Sequence, residues 1–522
     1  RERVARAYAA WALLSLGEDE LEGVPSALRD AVANVRARAE EAGRDLDEEI
    51  IAARYARVDA IVARAVRAQS EPKVTPTERI DRVLTHPVLG LLAFAGVMYA
   101  VFEALFSWSE PAIALVEMAI GGLQDLVGSM LPAGPFADLL RDGVIAGVGN
   151  VVVFVPQIAL LFLFITFLED SGYLARVAFV IDRVMSGVGL HGRAFVPLLS
   201  GFACAVPAVL STRTIESRRD RLITMMALPL MSCSARLPIY VLVIATVFAG
   251  EARVFGLLSV GALVLFSMYA LSVLATLGAA AVLRRTVLRG PRPTLVLELP
   301  PYRWPTFRNV LRAVGDRVRA FLVDAGTIIL ALTIVLWALL TYPRDAEVIQ
   351  LAEEARVAAN AELSGAALEE TIDTIDREER AELLAKSAGG RLGRALEPAI
   401  EPLGFDWRLG VGILGAFAAR EVFVSTLGIV FGIGEADENS VPLREALSTA
   451  RRSDGSALMT PLVGVSLMVF FVLACQCMST IAVVRRESGS WRYPLLMLTY
   501  MSALAYGASL AVYQVGRALG FS

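Results

Sequence analysis

Seven apolar stretches decide what this chain can fold into. They run over about 88–106, 143–168, 222–249, 254–283, 318–341, 457–484 and 493–518, each long enough to carry a helix across the ~30 Å hydrocarbon core of a bilayer. Inside that core every backbone N–H and C=O must be satisfied by the protein, so long apolar runs become helices. With 56% of 522 residues hydrophobic, the sequence is expected to form an all-α, polytopic membrane protein. The net charge of -4 hides a segregation, because charged residues gather in the N-terminal segment, near 343–397 and in short Arg clusters. That distribution gives no general attraction for nucleic acid, and none is expected as a partner. Four cysteines in apolar segments do not make a secreted disulfide framework. No signal peptide is read ahead of the first span, and the opening on Arg1 rather than Met reads as a truncated or processed terminus. Lysine occurs only at Lys73 and Lys386, neither preceded by the Gly-x-x-x-x-Gly spacing of a phosphate-binding loop, so no nucleotide site is recognised.

Residues 1–70 carry apolar positions at helical spacing, such as Val4, Tyr8, Trp11 and Ala12, then Ile50, Ile51, Tyr55, Val58 and Val62. They read as a small N-terminal soluble helical domain. A linker is expected at 71–87, with Pro87 opening the first span. The first membrane half then covers 88–341, an external charged helical insertion 342–405, and the second membrane half 406–522. The insertion reads as a solvated hairpin and is assigned no chemistry.

Two further apolar stretches, about 193–212 and 409–433, are placed by the positive-inside rule. Arg213, Arg218, Arg219 and Arg221, then Arg284, Arg285, Arg289 and Arg292, then Arg485 and Arg486 mark cytoplasmic faces. The acidic connection 107–142 suits the outside. With the N-terminal domain in the cytoplasm, 193–212 must begin and end inside, and 409–433 must begin and end outside. Both are expected to be re-entrant hairpins, of opposite hand. An internal repeat agrees: Arg193, Val196, Leu198, Leu199, Phe202 and Ala203 recur at an offset of 215 as Arg408, Val411, Ile413, Leu414, Phe417 and Ala418. The expected architecture is therefore a pair of inverted repeats, with a site near the bilayer midplane.

The chemistry gathers where prolines and cysteines meet. A proline in a helix interior lacks an N–H and clashes with the carbonyl four residues earlier. Pro207 would free the Ala203 carbonyl beside Cys204, and Pro238 the Ser234 carbonyl beside Cys233. Interrupted helices of this kind build substrate sites in transporters. Thiols select softer or borderline cations such as ferrous iron, zinc or cuprous copper over magnesium and calcium, so Cys204 and Cys233 are candidate metal ligands, with Met231 and Ser232 beside them. Cys475 and Cys477 would point about 200° apart in a regular helix, which leaves one of the two structural. Glu169, Asp170 and Glu421 are candidate pathway residues, since an ionisable group at membrane depth costs about 3 kcal/mol. Glu169 and Asp170 suit an interfacial helix end equally well, and Glu421 a local ion pair with Arg420. His191, just before the first hairpin, reads as a loop residue.

Three strings carry a resemblance: LEDSGYLARVAFVIDRVMSGVGLHGRAFVPLLSGFACAVPAVLSTRTIESRRDRLITMMALPLMSCSARLPIYVLV, GRLGRALEPAIEPLGFDWRLGVGILGAFAAREVFVSTLG and CMSTIAVVRRESGSW. Together they resemble the membrane domain of the FeoB ferrous iron transporter family, over most of residues 75–520. Residues 1–70 resemble the helical spacer that in this family follows an N-terminal GTPase domain, which these 522 residues do not include. The resemblance implies a transporter and not an enzyme in this chain, taking up Fe(II) across the bacterial cytoplasmic (inner) membrane, with GTP and Mg entering only through the GTPase domain. It places one Gate segment at about 172–245 and the second within 406–522. It carries the family's transport cysteines onto Cys204, Cys233 and Cys477, and leaves Cys475 outside the motif. Fe(II) is the expected substrate; the bilayer, a small FeoA-like cytoplasmic protein and further copies in a homo-oligomer are the expected partners. The gate architecture also resembles that of concentrative nucleoside transporters, so a nucleoside-like or other small-solute carrier is one alternative. A membrane receptor or anchor without transport is another. Cysteines beside freed carbonyls favour the metal.

Overall fold

The computed structural model describes residues 2–14, 25–65, 76–132, 134–188, 190, 192–248, 253–254, 258–288, 300–363, 366–418, 420, 422–434, 436–452, 454–475 and 477–521. It divides into two compact units, Arg1–Pro76 and Thr77–Ser522. The first contains the helices Glu2–Leu14, Ser26–Glu41 and Leu46–Ala65. Ala12, Val32 and Ala39 are buried, and Arg36 donates to the Leu13 carbonyl and to Asp47. The stripe Ile51, Tyr55, Val58 and Val62, expected to face a core, stays exposed. The neighbouring helix Ser26–Glu41 is mostly alanine and charged residues, and offers little apolar surface to cover it.

A helix, Pro76–Leu84, stands where a linker was expected at 71–87. Proline at the first helical position is preorganised for the turn, and Asp81 on this helix is gripped by Arg176 and Tyr302. Among the described residues, seven helices are then long and apolar enough to cross a membrane: Leu89–Met130, Pro135–Asp170, Arg218–Val247, Val260–Thr286, Phe307–Thr341, Pro461–Ser488 and Arg492–Ala518. Each of the seven apolar stretches has its helix. The first overturns the expected connection at 107–142, because the helix is continuous for 42 residues through Pro111. At 1.5 Å per residue it reaches about 63 Å, twice the thickness of a hydrocarbon core. Apolar residues continue along it at Leu115, Met118 and Leu123, all exposed, which a loop would not keep.

Burial separates a centre from a periphery. Pro461–Ser488 is about three-quarters buried and Arg218–Val247 half buried, whereas the other spans are one-third buried or less. Against these two pack the two helical hairpins: Phe195–Gly201 with Ala205–Ser211, and Trp407–Ala418 with Val422–Val430. The second hairpin closes tightly because Gly412 has no side chain: a Cβ there would lie 2.8 Å from the Phe423 ring. Phe423 is itself held edge-on to Phe471 of the central span, with ring centroids 4.7 Å apart.

Both hairpins return to where they began. Arg193 pairs with Glu216 across the mouth of the first, at 2.5 Å, and Arg408 lies 5.6 Å from the Phe431 ring centroid across the mouth of the second. Glu216 and Phe431 are separated by the same offset of 215 that relates Arg193 to Arg408, so the sequence repeat is also a repeat of contacts. The mouths lie at opposite ends of the span Pro461–Ser488. Arg213, leaving the first hairpin, pairs with Glu487 at that span's end, while Leu403, entering the second, accepts from Ser466 near its start at 2.9 Å. Arg221 also pairs with Glu487, at 2.7 Å, which brings two of the three Arg clusters expected on the cytoplasmic face to one end of the bundle. Away from the spans, Ala346–Glu362 and Ala366–Lys386 are joined by Arg356, which pairs with Asp376 at 2.8 Å and with Glu379.

Candidate functional site

Both central spans are broken in the middle. The first has Met231 and Cys233 in extended conformation between Arg218–Ala227 and Leu237–Val247, and the second has Ala474 and Cys477 extended between Pro461–Leu473 and Met478–Ser488. The hairpins break at Cys204, also extended, and around Arg420. The prolines do not interrupt helix interiors as the sequence suggested. Pro207 sits in the first turn of Ala205–Ser211 and Pro238 in that of Leu237–Val247, where a missing N–H has no helical partner to lose. Each break therefore precedes its proline. The Ala203 carbonyl accepts from the Ser234 hydroxyl at 3.0 Å, and the Ser234 carbonyl from the Leu237 N–H.

The four breaks meet on a cavity of about 80 Å³ lined by Cys204, Cys233, Cys477 and Arg420, one from each break, with Thr480 and Phe321 among the other walls. Such a volume holds roughly two or three waters. Cys233 is buried and Cys204 and Cys477 are half-buried, and none of the three is in a disulfide. Cys475 is 1% exposed and packs into the apolar core instead. Phe321 and Ala325 reach the cavity from a widened turn, Phe321–Gly326, a local i→i+5 geometry that often marks functional sites. Among the described residues no three His, Cys, Asp or Glu side chains converge as metal ligands; the thiols share the walls without closing on one point. The Thr480 hydroxyl, on the cavity wall, is buried without a hydrogen-bond partner.

Two arginines account for much of the remaining polarity. Arg236 is fully buried and donates to the carbonyls of Leu230 (3.1 Å), Met231 (2.8 Å), Pro229 (3.1 Å) and Ala474 (3.4 Å). It thereby satisfies the carbonyls that the broken helix releases. Arg420, 4% exposed, donates to the Cys233 sulfur at 3.5 Å and to the Ala474 carbonyl at 3.4 Å. No carboxylate among the described residues pairs with either guanidinium.

The other sequence candidates lie elsewhere. Glu169 and Asp170 are exposed at the end of their span and are not on the cavity wall. Met231 and Ser232 are buried in the core, where the Ser232 N–H donates to the Ser272 hydroxyl at 2.7 Å. Glu421 and His191 lie outside the described residues. The sequence reading missed Arg236, Thr480 and the cavity-facing role of Arg420. An arginine inside an apolar stretch is a detectable signal for the first and last; a threonine in a span gives none.

A family model described as "Nucleoside recognition" (Gate) matches residues 151–247 and 322–491, and one described as "Ferrous iron transport protein B C terminus" matches residues 265–317. The chain is also 45% identical over 444 residues to a protein of Leptospira biflexa named Fe(2+) transporter FeoB, covering 85% of this chain and 60% of that one. The chain belongs to the FeoB family. Family relatives of the same name from Leptospira interrogans and Methanocaldococcus jannaschii are 41% and 36% identical, over 87% and 90% of this chain and 62% and 63% of theirs. A Porphyromonas gingivalis relative, 37% identical over 91% of this chain and 55% of its own length, is a Fe(2+) transport protein A/Fe(2+) transporter FeoB fusion protein. This FeoB-family chain thus spans about three-fifths of the curated relatives it matches. No solved structure matches it.

Proposed function

We propose that this chain is the permeation unit of a ferrous iron transporter of the bacterial inner membrane, with Fe(II) passing between Cys204, Cys233 and Cys477. The observation that carries this reading is the meeting of three thiols, from three separate helix breaks, on one small cavity. Thiols prefer a borderline cation over the harder magnesium and calcium, and the Thr480 hydroxyl adds an oxygen donor. Both hairpins enter the bilayer part-way, the first from the cytoplasm and the second from outside, and the N-terminal helices lie in the cytoplasm. A GTPase domain regulates transport in the longer protein, and a FeoA-like protein binds on the cytoplasmic side; the fused relative supports that pairing. Family matching to a model described as nucleoside recognition raises a nucleoside as the competing cargo. The cavity wall carries one amide side chain, Gln157, against three thiols, which is poor equipment for reading a base.

The test is uptake into liposomes holding a ferrous chelator, using the reconstituted chain and, in parallel, nucleoside uptake. Fe(II) entry is expected, and each of Cys204→Ser, Cys233→Ser and Cys477→Ser should weaken metal binding at least about tenfold, or about 1.4 kcal/mol. Cys475→Ser should leave it unchanged. Nucleoside entry without Fe(II) entry, or unchanged affinity in all three serine variants, would overturn the reading.

A further inference from the structure

We propose that the Arg420 guanidinium is a built-in competitor for the transported cation, holding the thiol and carbonyl donors of the central cavity and leaving them when a divalent cation binds. This rests on the ferrous iron reading above and adds the residue that regulates occupancy of that site.

The two buried arginines differ in how they are held. Arg236 spends its donors on four backbone carbonyls, at 2.8 to 3.4 Å, and so behaves as a permanent part of the broken span. Among the described residues Arg420 reaches only the Cys233 sulfur at 3.5 Å and the Ala474 carbonyl at 3.4 Å; its Nε, like that of Arg236, has no partner among them. Those contacts are at the long edge of hydrogen bonding, and a guanidinium has five N–H donors to place. It is a buried cation held loosely by a soft sulfur and by a carbonyl released at a helix break. A thiophilic metal ion would seek the same kinds of donor.

Charge makes the two occupants exclusive. Like charges a few ångströms apart repel strongly away from bulk water, and Arg236 already contributes one positive charge beside the same Ala474 carbonyl. A divalent cation reaching Cys233 adds to a positive cavity unless Arg420 withdraws. The position suits withdrawal, because Arg420 lies between the two helices of the second hairpin and not within either, Trp407–Ala418 or Val422–Val430.

Co(II) is a suitable probe, since binding to thiolates gives a charge-transfer absorption. With the full chain in detergent or nanodiscs, R420Q should bind Co(II) about tenfold more tightly than the wild type. R420K, which keeps the charge, should remain within about threefold. R420A should also bind more tightly, and millimolar guanidinium ion should weaken it back towards the wild type while equal sodium does not. Unchanged or weaker binding in folded R420Q or R420A overturns the proposal. Should neither neutral variant fold, R420K decides: retained affinity supports a role for charge, and a tenfold loss shows that the fork geometry is structural. A wild-type chain lacking the thiolate band fails the ferrous iron reading itself; a band present but insensitive to R420Q fails only the competitor.

Discussion

Asp81→Asn should destabilise the membrane unit by about 3 kcal/mol, through one knot of side chains at its edge. Arg176 is 1% exposed and grips Asp81 with two hydrogen bonds, at 3.0 and 3.3 Å. It also donates to the carbonyls of Gly172 and Pro300, and its guanidinium lies 4.1 Å from the Tyr302 ring centroid. The Tyr302 hydroxyl donates to Asp81 at 2.7 Å. At an effective dielectric of about 20, unit charges about 4 Å apart attract by about 4 kcal/mol. Removing one partner of a buried pair costs about 3 to 5 kcal/mol, because the other charge is stranded. The Asp81 side chain keeps 21% of its surface in water, which sets the expectation at the lower end. Unfolding by denaturant, followed by tryptophan fluorescence in detergent, measures the loss. A cycle with Arg176→Met should show coupling of at least about 1.5 kcal/mol. An Asp81→Asn variant within about 0.5 kcal/mol of the wild type, the range of ordinary surface substitutions, would refute the view that this pair holds Pro76–Leu84 against the helix leading to the first hairpin.

The same knot predicts a pH dependence at both extremes. Burial alone would raise the Asp81 carboxyl, but hydrogen bonds from Arg176 and Tyr302 outweigh it and hold the group below its ordinary value. Its stabilisation is present above the unfolded pKa and is lost as pH falls through the lower folded one, so acid melts should steepen below about pH 4 and flatten in Asp81→Asn. Tyr302 is pushed up to about 12, by burial first and by its bond to Asp81 second. Its contribution is complete below the unfolded pKa of about 10 and is lost as pH rises through the folded value, with Tyr302→Phe as the control. In the second hairpin, Gly412→Ala forces a methyl to 2.8 Å from the Phe423 ring. Overpacking of about 1 to 3 kcal/mol should outweigh the ~1 kcal/mol gain in helix propensity. Gly96→Ala, with open space around it, should show only the gain; equal melting of the two variants would contradict the tight approach.

The spans were readable because crossing a bilayer is a one-dimensional requirement of length and apolarity. The two helix pairs were suggested by charge placement, and the offset of 215 located their mouths, where Arg193 meets Glu216 and Arg408 meets Phe431. The continuation of the first helix past 106 was hidden by Ser107, Ser109, Glu110 and Pro111, residues that resemble a loop locally and yet sit within one helix. The prolines were read correctly as markers of interruption and placed on the wrong side of it, since sequence alone does not distinguish a proline that breaks a helix from one that opens the next. The role of Arg236 was hidden for a different reason, although its charge inside an apolar stretch marked the residue itself. One of its partners, the Ala474 carbonyl, is 238 residues away, and a backbone acceptor has no signature in sequence.

That carbonyl also shows why the four breaks cannot act independently. Ala474 of the second broken span accepts from Arg236 of the first and from Arg420 of the second hairpin, while Ser234 of the first broken span donates to Ala203 of the first hairpin. If Arg420 leaves, Ala474 keeps Arg236, so no buried acceptor is orphaned and the penalty of about 1 to 3 kcal/mol for an unsatisfied group is avoided. The first hairpin has no such reserve: losing Ser234 would strand the Ala203 carbonyl, and its mouth is clamped by Arg193–Glu216 and Arg213–Glu487. Redundant satisfaction on one side and single satisfaction on the other make the second hairpin the cheaper element to move. The arginine that moves with it is the one already resting on the thiol.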